Sequence, residues 1–218
     1  MADDSSRAGV RYISPEIIAH VDQLHAAHDA ALQAAFAAPE RAGMPAIMVS
    51  PSEGRLLELL LRMVGASRVV EVGTLAGYSA IRMARALPAD GKIWTVEADP
   101  KHAEVAMRNV AAAGLDKQVE VVTGKAFDVL PTLERHGPFD AVFLDADKQH
   151  YDRYAEWALQ NLRPHGLLLG DNAFFFGKLL DDGPGAAAMR RFHELLRDHC
   201  DSVCIPTPDG LALGLKRG

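Results

Sequence analysis

The chain has 218 residues, 49% hydrophobic and 24% charged, with 18 glycines and 12 prolines spread along it; this composition excludes a disordered, fibrous or repeat-built protein. A formal charge of −6 excludes a surface that neutralises many phosphates, so no nucleic-acid partner is expected. The only cysteines, Cys200 and Cys204, lack a second pair for a zinc site and stand too far apart on an extended stretch to bridge, so two reduced thiols and a cytoplasmic location are expected.

Met1 to Gly9 is polar and lacks an apolar signal core, and no apolar run reaches the roughly 18 residues of a membrane span, so no membrane partner is expected. Ser14 caps a helix that starts at Pro15 and carries Ile17, Ile18, Val21 and Leu24 on to about Phe36, before Pro39, Gly43 and Pro45 break the pattern. His20, His25 and His28 fall on this helix with a spacing that resembles a partial metal face, but the apolar stripe beside them favours a packing or solvated role. A second helix follows Ser50-Pro51-Ser52-Glu53, a capping-box pattern, with Leu56, Leu57, Leu60 and Leu61 recurring at helical spacing. Residues 1–45 are expected to form a tail and helical cover, and 46–218 the core, of a single domain.

From Arg68 onward, short β-branched runs alternate with helical stretches: Val69 to Val72, Ile93 to Val96, Val119 to Val122, Ala141 to Leu144 and Leu167 to Leu169. Five such units predict a parallel sheet covered on both faces. Ser202 to Ile205 and Leu211 to Leu215 are separated only by Pro206 to Gly210, which is hairpin length, so these two strands are expected to pair antiparallel. The expectation is an α/β, Rossmann-like, doubly wound sheet of seven strands, mostly parallel, with an antiparallel C-terminal hairpin and added N-terminal helices. Ligands of such sheets bind beyond the carboxyl ends of the strands, which directs attention to the loops after Val72, Val96, Val122, Leu144 and Leu169.

The first of these strands runs into Glu71-Val72-Gly73-Thr74-Leu75-Ala76-Gly77-Tyr78-Ser79. The spacing is G-x-x-x-G, not the G-x-G-x-x-G of dinucleotide sites, and an acid precedes the first glycine. A carboxylate there repels a pyrophosphate but suits the sulfonium and amino groups of S-adenosylmethionine. The second strand ends at Glu97, where the carboxylate meets a ribose diol. Each acid alone is compatible with a helix cap or solvent; together with the glycine pattern they point to an adenosyl ligand. The fourth and fifth strands run into Asp145-Ala146-Asp147-Lys148 and Asp171-Asn172. A single Asp-Asn after a strand reads as a cap or Asx turn, but two oxygen-bearing turns on neighbouring strands favour a partial shell for a hard divalent ion, formed by Asp145, Asp171 and Asn172.

These stretches, with Gly124-Lys125-Ala126, Phe143 to Lys148, and Gly177 after Asp171-Asn172, resemble in order the motifs of the metal-dependent small-molecule O-methyltransferases, the family that includes catechol and caffeoyl-CoA O-methyltransferases. The resemblance spans nearly all of Ala46 to Lys216. It implies that Glu71, Gly73, Thr74 and Ser79 lie at or around the methionine moiety, Glu97 at the ribose, Ala126 at the adenine, and that Val49 and Asp147 line the pocket. It also implies a divalent metal, magnesium foremost with calcium or manganese as alternatives, a homodimer, and Lys148 as the base beside the metal ligand Asp145.

A phenol, with a pKa near ~10, is mostly neutral at pH 7, so methyl transfer to its oxygen is helped by a metal that stabilises the anion and by an amine that takes the proton. A small aromatic substrate with two adjacent hydroxyls fits that chemistry. Phe174-Phe175-Phe176 offers an apolar wall for a flat ring, with at least one of the three in the core. Plant relatives carry polar substrate-contacting residues in this loop, which turns the expectation from a coenzyme A thioester towards catechol-type acceptors. Met48, Tyr151, Trp157 and the turn residue Asp209 are further candidates for the pocket, but methionine and aromatics at such spacings are more often core, and none of the four is counted among the catalytic residues. Two competing readings are an NAD-binding oxidoreductase, disfavoured by the missing G-x-G-x-x-G, and a non-catalytic adenosyl-binding module, disfavoured by the retention of Asp145, Lys148, Asp171 and Asn172 together.

Overall fold

The computed structural model describes residues 12–218, so the polar segment Met1 to Gly9 lies outside the described residues. Seven strands form one sheet: β1 (Arg68–Val72), β2 (Lys92–Glu97), β3 (Val119–Thr123), β4 (Phe139–Leu144), β5 (Leu162–Gly170), β6 (Cys200–Ile205) and β7 (Leu211–Lys216), in the order β3-β2-β1-β4-β5-β7-β6. The first five are parallel. β7 lies antiparallel between β5 and β6, which makes the C-terminal pair the expected hairpin. Cys200 and Cys204 are four residues apart on β6, both as free thiols.

Strand alternation divides the core between the two faces of the sheet. Val70, Val72, Trp94, Val96, Val142, Leu144 and Leu168 face one layer, made of α6 (Ala126–Leu133), α7 (Tyr151–Asn161) and α8 (Pro184–His199). Val69, Ile93, Ala141, Phe143, Leu167 and Leu169 face the other. That second layer holds α2 (Ala30–Arg41), α3 (Pro51–Met63), α4 (Tyr78–Ala84) and α5 (Pro100–Ala112). Fully buried side chains such as Leu57, Leu61, Phe143 and Phe192 each contribute roughly 1.5–3 kcal/mol of hydrophobic stabilisation.

The N-terminal helical segment differs from the expectation of one helix from Pro15 to about Phe36. It is two helices, α1 (Pro15–His25) and α2, broken at residues 26–29. The break has local causes. Asp29 caps α2 by accepting the Leu32 N–H at 2.9 Å, the buried Ala26 carbonyl accepts from the Arg82 guanidinium at 2.6 Å, and His28 turns inward to pack on Phe36 and meet the Tyr78 hydroxyl at 2.8 Å. The apolar stripe continues through a cap residue, which periodicity alone does not register. α2 also runs past the expected stop, carrying Pro39 in its last turn, where the missing N–H costs one hydrogen bond. The capping box of α3 is present as expected: Ser50 Oγ accepts from Glu53 N and Glu53 Oε2 accepts from Ser50 N. No helix among the described residues is long and apolar enough to cross a membrane.

Candidate active site

The parallel ladder extends one residue beyond β1, β3, β4 and β5. Gly124 N donates to Glu97 O, Gly73 N to Val96 O, Asp145 N to Val72 O and Asp171 N to Leu144 O, at 2.8–3.0 Å. The functional loops therefore start in a row along the carboxyl edge of the sheet, around a cavity of about 530 Å³, a size suited to a small molecule. Of the expected site residues, Val49, Gly73, Thr74, Ser79, Glu97, Ala126, Asp145, Asp147, Lys148 and Asn172 line this cavity. Glu71 and Asp171 are buried beneath its wall.

Gly73 has a φ of +103°, and a Cβ there would stand 2.0 Å from the Asp145 carbonyl oxygen, so the crossing of the first and fourth loops admits only glycine. Glu97 orders the turn that follows: Oε2 accepts the N–H groups of Thr74 (3.2 Å) and Leu75 (2.8 Å), and Oε1 accepts that of Asp99 (2.9 Å). A carboxylate retains further lone pairs for a ligand hydroxyl.

Glu71 pairs in register with Thr95 on β2 and Phe143 on β4, and strand alternation directs it into the α3/α4 layer. Its oxygens accept from Ser79 Oγ and Thr95 Oγ1, each at 2.5 Å, and Thr95 meets Thr74 Oγ1 at 2.5 Å. Burial raises the carboxyl from its ordinary 4.5 to about 8, although the two hydroxyl bonds oppose the shift. Buried beneath the loop with its carboxyl raised, Glu71 holds the floor of the loop rather than placing a charge on the cavity wall.

Across the cavity, the turn after β4 forms a short 3-10 helix (Lys148–His150), capped by Asp147, which accepts from Gln149 N at 3.0 Å and contacts His150 Nδ1 at 2.6 Å. This turn brings Lys148 Nζ back to Asp145 Oδ1 at 2.9 Å, as their three-residue spacing predicts. Lys148 Nζ also donates to the Tyr151 hydroxyl at 2.9 Å and lies 4.8 Å from the centre of that ring. Tyr151 is fully buried, its oxygen 2.7 Å from Leu144 O and 2.9 Å from Asp171 O, so it ties the lysine to the ends of both β4 and β5. Sequence reasoning offers Tyr151 as a possible pocket residue but favours the core for it. It is in the core by burial, but its hydroxyl belongs to the site; the K-x-x-Y spacing after Asp145 is the available signal. Burial and then Asp145 raise the Asp171 carboxyl from 3.8 to about 7. Two carboxylates thus crowd together with Lys148 as their nearby cation.

Among the described residues no three His, Cys, Asp or Glu side chains gather as a metal cluster. Asp145 and Asp171 supply two carboxylates and Asn172 an amide oxygen, a hard-oxygen set that fits magnesium, calcium or manganese and leaves positions open. The crowding that raises Asp171 is the electrostatic situation a divalent cation relieves.

Met48 and Phe176 line the cavity, as do Tyr154 and His102, which sequence reasoning did not single out. Phe174 and Phe175 are packed inward, against Gly210 and Gly185. Trp157 is remote, donating to Glu134 Oε1 at 3.1 Å. His20 and His25 are exposed on α1, and His28 packs on aromatics, in keeping with a packing or solvated role for all three.

The family model described as O-methyltransferase matches residues 25–217. A catechol O-methyltransferase of Niastella koreensis is 48% identical over 91% of this chain and 95% of its own length. Caffeoyl-CoA O-methyltransferase 2 of Zea mays is 36% identical over 75% of this chain and 68% of its own. The solved structure of the O-methyltransferase TomG from Streptomyces achromogenes, in complex with S-adenosylmethionine, superposes with a TM-score of 0.87 at 38% identity, covering 93% of this chain and 96% of that one. With the seven-stranded order, the glycine loop and the paired strand-end carboxylates in place, the chain belongs to the O-methyltransferase family.

Proposed function

We propose that this enzyme transfers the methyl group of S-adenosylmethionine to one hydroxyl of a small aromatic with two adjacent hydroxyls, using a divalent ion, magnesium foremost, held by Asp145, Asp171 and Asn172. The observation that carries the reading is the grouping of Lys148, Asp145 and Asp171 at adjacent strand ends, beside the Gly73 loop of the same cavity. Glu97 offers its free lone pairs to the ribose diol, with Ala126, Val49 and Asp147 around the rest of the adenosyl group and Gly73, Thr74 and Ser79 at the methionine end. Glu71 acts from below, through Ser79 and Thr95.

A divalent ion bound by the carboxylate and amide oxygens would act as a Lewis acid that favours the phenolate form of the acceptor. Lys148, tethered by Asp145 and Tyr151, is the amine within reach to receive the acceptor's proton. Apolar groups on the wall, Met48 and Phe176, exclude water and align a flat ring, and holding donor and acceptor together supplies much of the remaining rate. The Niastella relative's name supports a catechol-type acceptor, and Phe176 on the cavity wall favours a free diol over a coenzyme A thioester.

The same reading places the enzyme in the cytoplasm as a homodimer. Support for the dimer comes from α1, which buries none of its residues and leaves Ile17, Ile18, Val21 and Leu24 exposed.

Methyl transfer from labelled S-adenosylmethionine to catechol, caffeate and caffeoyl-CoA tests the proposal. Product from a free diol with magnesium is expected; no product from any diol, with S-adenosylmethionine binding intact, would send the search to other acceptors.

A further inference from the structure

Three non-glycine residues in one short loop, Asn172, Phe175 and Phe176, hold left-handed φ values of 54°, 53° and 54°. Bulky side chains rarely adopt that region, and such residues persist only where their surroundings impose the conformation. The restraint comes from the turn between β6 and β7. Phe174 N donates to Asp209 O at 2.8 Å and Ala173 N to Gly210 O at 2.9 Å. The Asp209 carboxylate accepts the Phe176 N–H with both oxygens, at 2.9 and 3.2 Å.

Two of the three rings are consumed by packing: a Cβ on Gly210 would come within 2.9 Å of the Phe174 ring, and one on Gly185 within 2.7 Å of the Phe175 ring. Phe176 alone reaches the cavity, and it remains 62% exposed. An exposed phenylalanine in a costly backbone conformation, pinned by a carboxylate 33 residues away, is a side chain aimed at something other than its own fold.

Resting on the aromatic acceptor proposed above, we propose that Asp209 is a positioning residue for the methyl acceptor: by fixing the backbone of Phe176 it sets that ring as the wall against which the acceptor's ring lies. Asp209 acts through Phe176 and touches neither donor nor acceptor. The device selects for flat apolar rings, and it should govern acceptor affinity without governing S-adenosylmethionine affinity.

The test uses the full chain and its Asp209→Ala, Asp209→Asn, Phe176→Ala and Asp209→Ala/Phe176→Ala variants, with magnesium present. The KM for catechol and kcat are measured by methyl transfer, and the S-adenosylmethionine Kd by calorimetry. Asp209→Ala and Phe176→Ala are each expected to raise the catechol KM about tenfold, the scale of one lost aromatic contact, with the Kd within about twofold of the parent. The double variant should be no worse than either single one, because both remove the same wall. Asp209→Asn keeps a carbonyl acceptor for the Phe176 N–H and should recover most of the loss. An unchanged catechol KM, multiplying losses in the double variant, or parallel loss of S-adenosylmethionine binding would overturn the inference. If Asp209→Ala does not fold, an unchanged KM in Phe176→Ala is sufficient to overturn it. An unaltered protein that methylates no diol would instead sink the proposed function, and this inference with it.

Discussion

The two sides of the cavity are built in opposite ways. On the glycine-loop side, the polar atoms are satisfied within the loop and the adjoining strand β2: Glu71 by Ser79 and Thr95, and the Thr74 and Leu75 N–H groups by Glu97. The backbone turns at Gly73 and Gly77, where left-handed φ is cheap, although Leu75 also adopts it. On the Asn172–Gly177 side, left-handed φ is borne by asparagine and two phenylalanines, and the restraint comes from a distant turn at Thr207–Gly210. The first side is a preformed cradle that needs little from its ligand. The second holds bulky residues in a costly backbone conformation and leaves two carboxylates crowded beside one lysine.

If that contrast is correct, changes on the chemical side should spare donor binding. The largest effect is expected from Lys148→Ala, which removes the amine but leaves the cradle: kcat should fall by roughly 10²–10⁴-fold with the S-adenosylmethionine Kd unchanged, as single-turnover assays and calorimetry would report. Loss of donor affinity in step with kcat would erase the division. Next is Gly73→Ala, placed where both sides meet. Its Cβ cannot coexist with the Asp145 carbonyl, so a loss on the order of 3 kcal/mol or more is expected in denaturant unfolding, with donor and acceptor binding failing together. A stable variant would show that the crossing of the two loops is looser than the geometry implies.

The smallest effect concerns pH. Asp171, raised from 3.8 to about 7 by burial and then by Asp145, exchanges its proton around neutral pH. Metal binding requires the carboxylate, so protons and metal compete, and apparent affinity should fall as pH drops through 7. Between pH 8 and 6 the ionised fraction of a group with pKa 7 changes about tenfold, and the magnesium concentration for half-maximal activity should rise by about that factor. S-adenosylmethionine affinity should not follow this dependence, and a magnesium requirement flat across that range would remove Asp171 from the ligand set.

The same contrast governs how much was legible in the sequence. The cradle is written in one continuous stretch, Glu71 to Ser79, plus one strand-end acid, and alternation of strands and helices makes the first five strands parallel. Glu71 lies deeper than its motif suggests because strand alternation pairs it with Thr95 and Phe143 inside the second layer. The break between α1 and α2 was hidden because the apolar period continues through the Asp29 cap. Asp145, Lys148, Asp171 and Asn172 were readable from strand ends, but Tyr151 reads as an ordinary core aromatic until its hydroxyl is seen between two carbonyls. Asp209 stands out as a turn residue near the pocket, but its bond to Phe176 has no local signal, since the two are brought together only by the pairing of β5 with β7.

The most direct test of the central claim, that donor cradle and metal-assisted chemistry are separable halves of one site, is to measure S-adenosylmethionine binding and catechol methylation in the same preparation, with magnesium and with EDTA. The account predicts that EDTA abolishes methylation while donor binding persists within a few-fold; loss of both together, or methylation that survives EDTA, would contradict it.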